Sequence, residues 1–166
     1  MADFASSIPT RVPALLRSVR DGELRLPHSR EDRAWGDGER LALFDSIHRG
    51  IPVGGLLVWF ADRQATRDGV GPYSLRVPRC HRLRPHLIDG LQRVLTLFSS
   101  LGAAFYEPAE RPADANDGGL VFDLVGEEFK LKTAEESPTL LPLSTLLDNA
   151  ALFEFLRPAS ATARSR

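Results

Sequence analysis

Residues 86–93 read His-Leu-Ile-Asp-Gly-Leu-Gln-Arg, and their reading decides the fold. The first four residues suit a short strand, and Asp89-Gly90 breaks it. From Leu91 the apolar residues fall at 91, 94, 95, 98, 101 and 105, one stripe of a helix. A strand therefore hands over to a helix start, where free N–H groups attract anions. Gly90 has no Cβ, so a phosphate can approach its backbone closely. Arg93, one turn in, can supply a charge-assisted and bidentate contact. Gln92 can orient a phosphate oxygen or a water, and Asp89 can hold Mg²⁺ through water or act as a base. A plainer reading competes: Asp89 and Gln92 stand three apart, the spacing of a capping box.

Working outward, Val12, Leu15, Leu16 and Val19 follow i, i+3, i+4, i+7 and predict a helix over 11–20, closed by Gly22. A short strand is expected over 23–26 and a polar loop over 28–38. Asp37 is expected to cap a helix running to Arg49, with Leu41, Phe44 and Ile47 inward and Gly50 ending it. Residues 51–55 form a turn, and the unbroken apolar run 56–60 predicts a central strand buried on both faces. A polar loop over 62–72, a strand over 73–77 and a basic loop over 79–84 follow. Beyond the central helix, 107–119 reads as a loop, and 120–124 with 128–132 as a hairpin around Gly126. Ser144 is expected to cap a final helix. The expected organisation is a flexible 1–10, one domain over 11–157 and a disordered tail over 158–166. Irregular alternation of helices and strands makes the class α+β, with a small mixed sheet flanked by helices.

The chain has 166 residues, enough to bury a core without staples. Its 43% hydrophobic and 26% charged fractions exclude wholesale disorder and collagen-like repeats. No apolar run reaches the ~18 residues of a membrane span. The N-terminus lacks a basic-then-apolar leader, so a cytoplasmic location and no membrane partner are expected. One cysteine, Cys80, excludes an internal disulfide, and Cys80-His81 lacks a third ligand for a metal. Of the 21 basic residues 19 are Arg, the side chain whose planar fork matches phosphate. Residues 1–93 hold 15 Arg against 11 acids, whereas 94–166 hold six basic residues against 11 acids. The formal charge of −1 hides a basic front and an acidic back. Arg79, Arg82 and Arg84 lead into the 86–93 segment and, with Arg30 and Arg33, are candidate DNA contacts, which would be salt-sensitive. A solvated edge explains the same charges. Trp35 is either a core anchor or a base-stacking platform.

Several spaced motifs occur in one order: Arg-Leu-Pro at 25–27, Trp35, Leu-Phe-Asp-Ser-Ile-His-Arg-Gly-Ile-Pro-Val-Gly at 43–54, Leu-Leu-Val-Trp at 56–59, and Leu-Ile-Asp-Gly-Leu-Gln-Arg at 87–93. Together they resemble the N-terminal domain of GmrSD-type modification-dependent restriction endonucleases, over roughly residues 12–148. Leu-Val-Phe-Asp-Leu at 120–124 and Pro-Leu-Ser-Thr-Leu-Leu at 142–147 continue the likeness. The resemblance implies a ParB/sulfiredoxin-like fold that binds, and often hydrolyses, a nucleoside triphosphate in defence against phage or modified DNA. The family signature Asp-Gly-Gln-Gln-Arg falls on Asp89, Gly90, Leu91, Gln92 and Arg93, so Leu91 replaces the first Gln. Asp89 and Gln92 become the expected catalytic residues; Gly90, Arg93 and Arg49 become the expected phosphate ligands. Asp89 is also the expected Mg²⁺ contact.

Upstream, the family pattern Pro-x-Phe-Gln-Arg, three residues, Trp becomes Pro27 to Trp35 with Arg30-Glu31 at the Gln-Arg positions. An acid in place of a cation repels phosphate unless Arg30 or Arg33 takes over. Two altered motifs point to a specialised or weakened member. A second nuclease domain does not fit in this length, so a nuclease partner or a further C-terminal region is the expected cutter. The rival expectation is a non-enzymatic DNA-sensing or protein-interaction module that keeps the fold.

Overall fold

A computed structural model of the chain describes residues 8–28, 34–62, 66–76, 83–106, 110, 119–133 and 137–162. Helix α1 (Val12–Arg20) opens with Pro13 in its first turn, where a missing N–H costs nothing. Leu16 and Val19 are fully buried, and Gly22 closes the helix at φ 67°. Helix α2 (Asp37–His48) starts one residue earlier than expected: Gly36 is its N-cap and Asp37 its first helical residue. Gly50, at φ 68°, follows its end. The inward face is Leu43 and Phe44, while Ile47 is exposed, contrary to expectation. The cause is the neighbour: the Phe44 ring packs at 5.6 Å on Phe129 of the C-terminal hairpin, which fixes which stripe of α2 is covered.

Among the described residues three small sheets stand where one mixed sheet was expected. β1 (Leu57–Ala61) pairs with β4 (Arg84–Asp89), and β2 (Gly69–Val70) with β3 (Tyr73–Ser74). β5 (Leu120–Asp123) lies between β6 (Glu128–Leu131) and β7 (Leu140–Pro142). Every ladder among the described residues is antiparallel. The segment expected as a strand over 23–26 supplies only an isolated parallel bridge from Arg25 to His86; just beyond it, Pro27 makes an isolated antiparallel bridge to Thr66. The largest departure is β1. It is an exposed strand rather than a central one, with Trp59 64% and Phe60 60% accessible.

The β5–β6 hairpin forms as expected, with Leu120 opposite Leu131 and Asp123 opposite Glu128. Its turn is held by the Asp123 carboxylate, which accepts from the Val125 and Gly126 N–H groups, and Glu127 takes φ 51°. Pro142 then leads into a 3-10 turn, Leu143–Leu147. Ser144 is buried in that turn and does not cap the last helix; the Asp148 carboxylate accepts from Ala151 N–H and does so instead. α4 is Asn149–Thr162 and reaches into the stretch read as a tail.

The core gathers on α3 (Leu91–Leu101), where Val94, Phe98 and Leu101 lie against Leu16, Leu26 and Leu143. Tyr73 meets Phe98 edge-on at 6.1 Å, and Tyr106 stacks on Tyr73 at 5.1 Å. Each buried apolar side chain contributes on the order of 1.5–3 kcal/mol by leaving water, and α3 buries Val94, Leu97, Phe98 and Leu101 together with Thr96 and Ser100. The class is α+β. Among the described residues no helix is long and apolar enough to cross a membrane.

Candidate functional site

The site grows from an irregularity in the β1–β4 ladder. Leu57 stands opposite Asp89 and Val58 opposite Leu87, leaving Ile88 as the extra residue of a bulge. A bulge bends its strand and re-aims the side chains that follow. Asp89 ends the strand with its side chain 72% exposed, and Gly90 turns the chain at φ 93° into the N-cap of α3. A Cβ on Gly90 would collide with Leu56 Cδ2 and stand 3.0 Å from Arg93 Nη2. Conformation and crowding both demand glycine there.

Arg93 folds back over this turn. Its Nη1 donates to the Val53 carbonyl at 2.8 Å, and its Nη2 to Asp89 Oδ2 at 3.2 Å. The side chain is only 16% exposed, so its charged fork is held in one place at the helix start. Gly54 completes the seat: at φ 83°, a Cβ there would stand 2.8 Å from Arg93 Nη1. The capping box does not form. Among the described residues no side chain caps α3, and Asp89 faces Arg93 instead. Gln92 reaches across the fold, its Oε1 accepting from the Trp35 backbone N–H at 3.3 Å. Its amide NH₂ remains a donor.

These groups line a cleft of about 480 Å³ whose walls are the 88–93 turn on one side and Pro27 with Trp35 on the other. The fold thus brings together Asp89, Gly90, Gln92 and Arg93. Trp35 packs against the core cluster, as a core anchor would, and also lines the cleft. Leu91 also touches the cleft, yet it packs against the core cluster as its place in the apolar stripe predicts.

The remaining candidates fall elsewhere. Arg49 is not part of the cleft lining; it pairs with Asp45 at 3.0 Å at the exposed end of α2. Arg84 is a half-buried residue of β4 opposite Ala61 rather than part of a solvated loop. His86 is buried, with its Nδ1 2.9 Å from the Arg84 carbonyl, which makes it a packing residue. Arg30, Arg33, Arg79, Arg82, Cys80 and His81 lie outside the described residues. Sequence reasoning missed Val53 and Gly54 as parts of the site. The available signal was the Pro-Val-Gly-Gly run at 52–55, which permits a positive φ beside a carbonyl turned toward a cation.

Among the described residues Asp89 is the one carboxylate in the cleft lining, and no three His, Cys, Asp or Glu converge on a point. The donor set fits a Mg²⁺ ion held by one carboxylate together with ligand phosphates, the usual manner of magnesium at nucleotide sites. The arrangement can grip an anion with a fixed guanidinium and helix N–H groups, beside a flat aromatic wall. Compared with protein-family models, curated proteins and solved structures, the chain matches none.

Proposed function

We propose that this chain is a nucleoside-triphosphate-binding module of a modification-dependent restriction or phage-defence system, related to the GmrSD N-terminal domains and of ParB/sulfiredoxin-like fold. One observation carries the reading. Arg93 is immobilised between Val53 and Asp89 at an uncapped helix start, facing a cleft of about 480 Å³. That volume lies within the roughly 300–1,000 Å³ of small-molecule sites. The guanidinium and the N–H groups of 91–93 receive a phosphate, and Gln92 donates its NH₂ to a second oxygen. Asp89 serves Mg²⁺ or water at the open rim. Magnesium, if held there by Asp89, would supply charge neutralisation at the phosphate.

Leu91 limits the chemistry. A leucine neither donates nor accepts, and loss of one polarising group typically costs ~10²–10³ in rate. Binding with slow turnover is therefore the expected behaviour. Calorimetry with GTP, ATP and CTP, with and without Mg²⁺, tests the binding. A phosphate-release assay on the wild type and on Leu91→Gln tests the turnover, and Leu91→Gln should be the faster. A nuclease partner would then perform any DNA cleavage.

The second reading is a DNA-sensing or protein-interaction module without turnover. The apolar, core-packed Leu91 and the exposed apolar strand β1 favour it. Gel shifts at two salt concentrations separate the readings. A DNA complex that weakens steeply with salt while no nucleotide binds supports the second.

A further inference from the structure

β1 is apolar on both faces and open along one edge. Leu57, Val58, Trp59 and Phe60 are all exposed, as are Ile88 in β4 and Leu83 just before it. β4 uses only one edge of β1, and among the described residues no strand pairs with the other. Edge strands are normally guarded by a charge, a proline or a covering element. Residues 57–61 contain neither charge nor proline. A two-stranded ladder is moreover a marginal sheet on its own.

We infer that β1 is a homodimer interface, in which the strands of two copies pair antiparallel about a two-fold axis near Trp59 to give a continuous four-stranded sheet. The strand is self-complementary in this arrangement. Leu57 faces Ala61 of the second copy, Val58 faces Phe60, and the two Trp59 rings meet at the axis. Asp62 falls opposite Leu56, so no like charges are opposed. A two-fold contact of this kind closes on itself instead of propagating into a filament. Strand addition of this kind draws its affinity from main-chain hydrogen bonds along the edge, with apolar side-chain contact across each face. A partner selected by charge would find nothing on 57–61 to complement it. The proposal stands independently of the nucleotide reading.

Sedimentation of the chain from about 1 μM to about 1 mM, the range of useful affinities, tests it. The expected result is a shift from the 18.3 kDa chain toward twice that mass. Trp59→Lys places like charges at the axis, and Phe60→Lys sets a charge against the apolar Val58 of the second copy; each should leave monomers at every concentration, with the thermal midpoint of the dilute wild type. Hydrogen exchange of the wild type supplies a readout independent of variant folding: the outer amides of 57–61 should gain protection as concentration rises. A chain that stays monomeric at about 1 mM, a dimer that survives Trp59→Lys in folded form, or a dimer with unprotected β1 amides would overturn the proposal.

Discussion

The Arg93 guanidinium rests against Gly54, where an added Cβ would stand 2.8 Å from Nη1. Gly54 also holds φ 83°, a conformation that costs a residue with a Cβ roughly 1–2 kcal/mol. Gly54→Ala should therefore lose about that much stability in urea unfolding. It should also weaken nucleotide binding beyond any effect of unfolding, because Arg93 must leave its seat. Unchanged affinity in a folded Gly54→Ala protein would show that the seat does not matter.

Asp89 competes with any phosphate for Arg93. Its carboxylate is 72% exposed, so the pair contributes little to stability, and its influence is on binding. Asp89→Asn should tighten the binding of a magnesium-free nucleotide several-fold and abolish the gain produced by Mg²⁺. Parallel titrations with Mg²⁺ and with chelator measure both effects. A variant that keeps the magnesium gain would remove Asp89 from the metal's coordination.

Much of the fold was legible because local rules and tertiary packing agreed there. Val12, Leu15, Leu16 and Val19 specify α1, and the alternation over 120–131 specifies the β5–β6 hairpin. Disagreements arose where a pattern is ambiguous without its neighbours. The unbroken run Leu56 to Phe60 reads as a doubly buried strand, yet it lies at an exposed edge because nothing described covers it. Asp89 has the spacing of a cap, but the bulge at Ile88 and the left-handed Gly90 aim it at Arg93. Ser144 has the composition of a cap, but it sits in a 3-10 turn one step before Asp148, which performs that task. The motif at 89–93 located the site, whereas Val53 and Gly54, some 40 residues away in sequence, are brought to it only by folding.

Deleting a ring should discriminate the core from the open strand. Phe98 is fully buried, and Phe98→Ala should cost about 3–5 kcal/mol. Phe60→Ala, measured at high dilution where β1 is unpaired, should cost no more than about 0.5 kcal/mol. Urea denaturation of both variants checks this. A large loss at Phe60 in the monomer would restore the buried central strand that the sequence suggests.

Acid should unfasten the C-terminal hairpin turn. The Lys130 ammonium, then the Val125 and Gly126 N–H groups, bond the Asp123 carboxylate and hold its pKa down to about 2 from an ordinary 3.8. A depressed carboxyl stabilises the fold above the unfolded-state pKa, and that contribution fades as pH falls through the folded-state value. Asp123→Asn should therefore lower the thermal midpoint near neutral pH, and its deficit should shrink between about pH 4 and about pH 2. A deficit that persists at about pH 2 would mean that shape rather than charge matters at this position.

Calorimetric titration of GTP, ATP and CTP into the wild type and Arg93→Ala, in the presence of Mg²⁺, tests the central claim most directly. The account predicts saturable binding of at least one nucleotide with a dissociation constant below about 1 mM, lost in a folded Arg93→Ala protein. Absence of heat with all three nucleotides at about 1 mM, or affinity undiminished in Arg93→Ala, would contradict it.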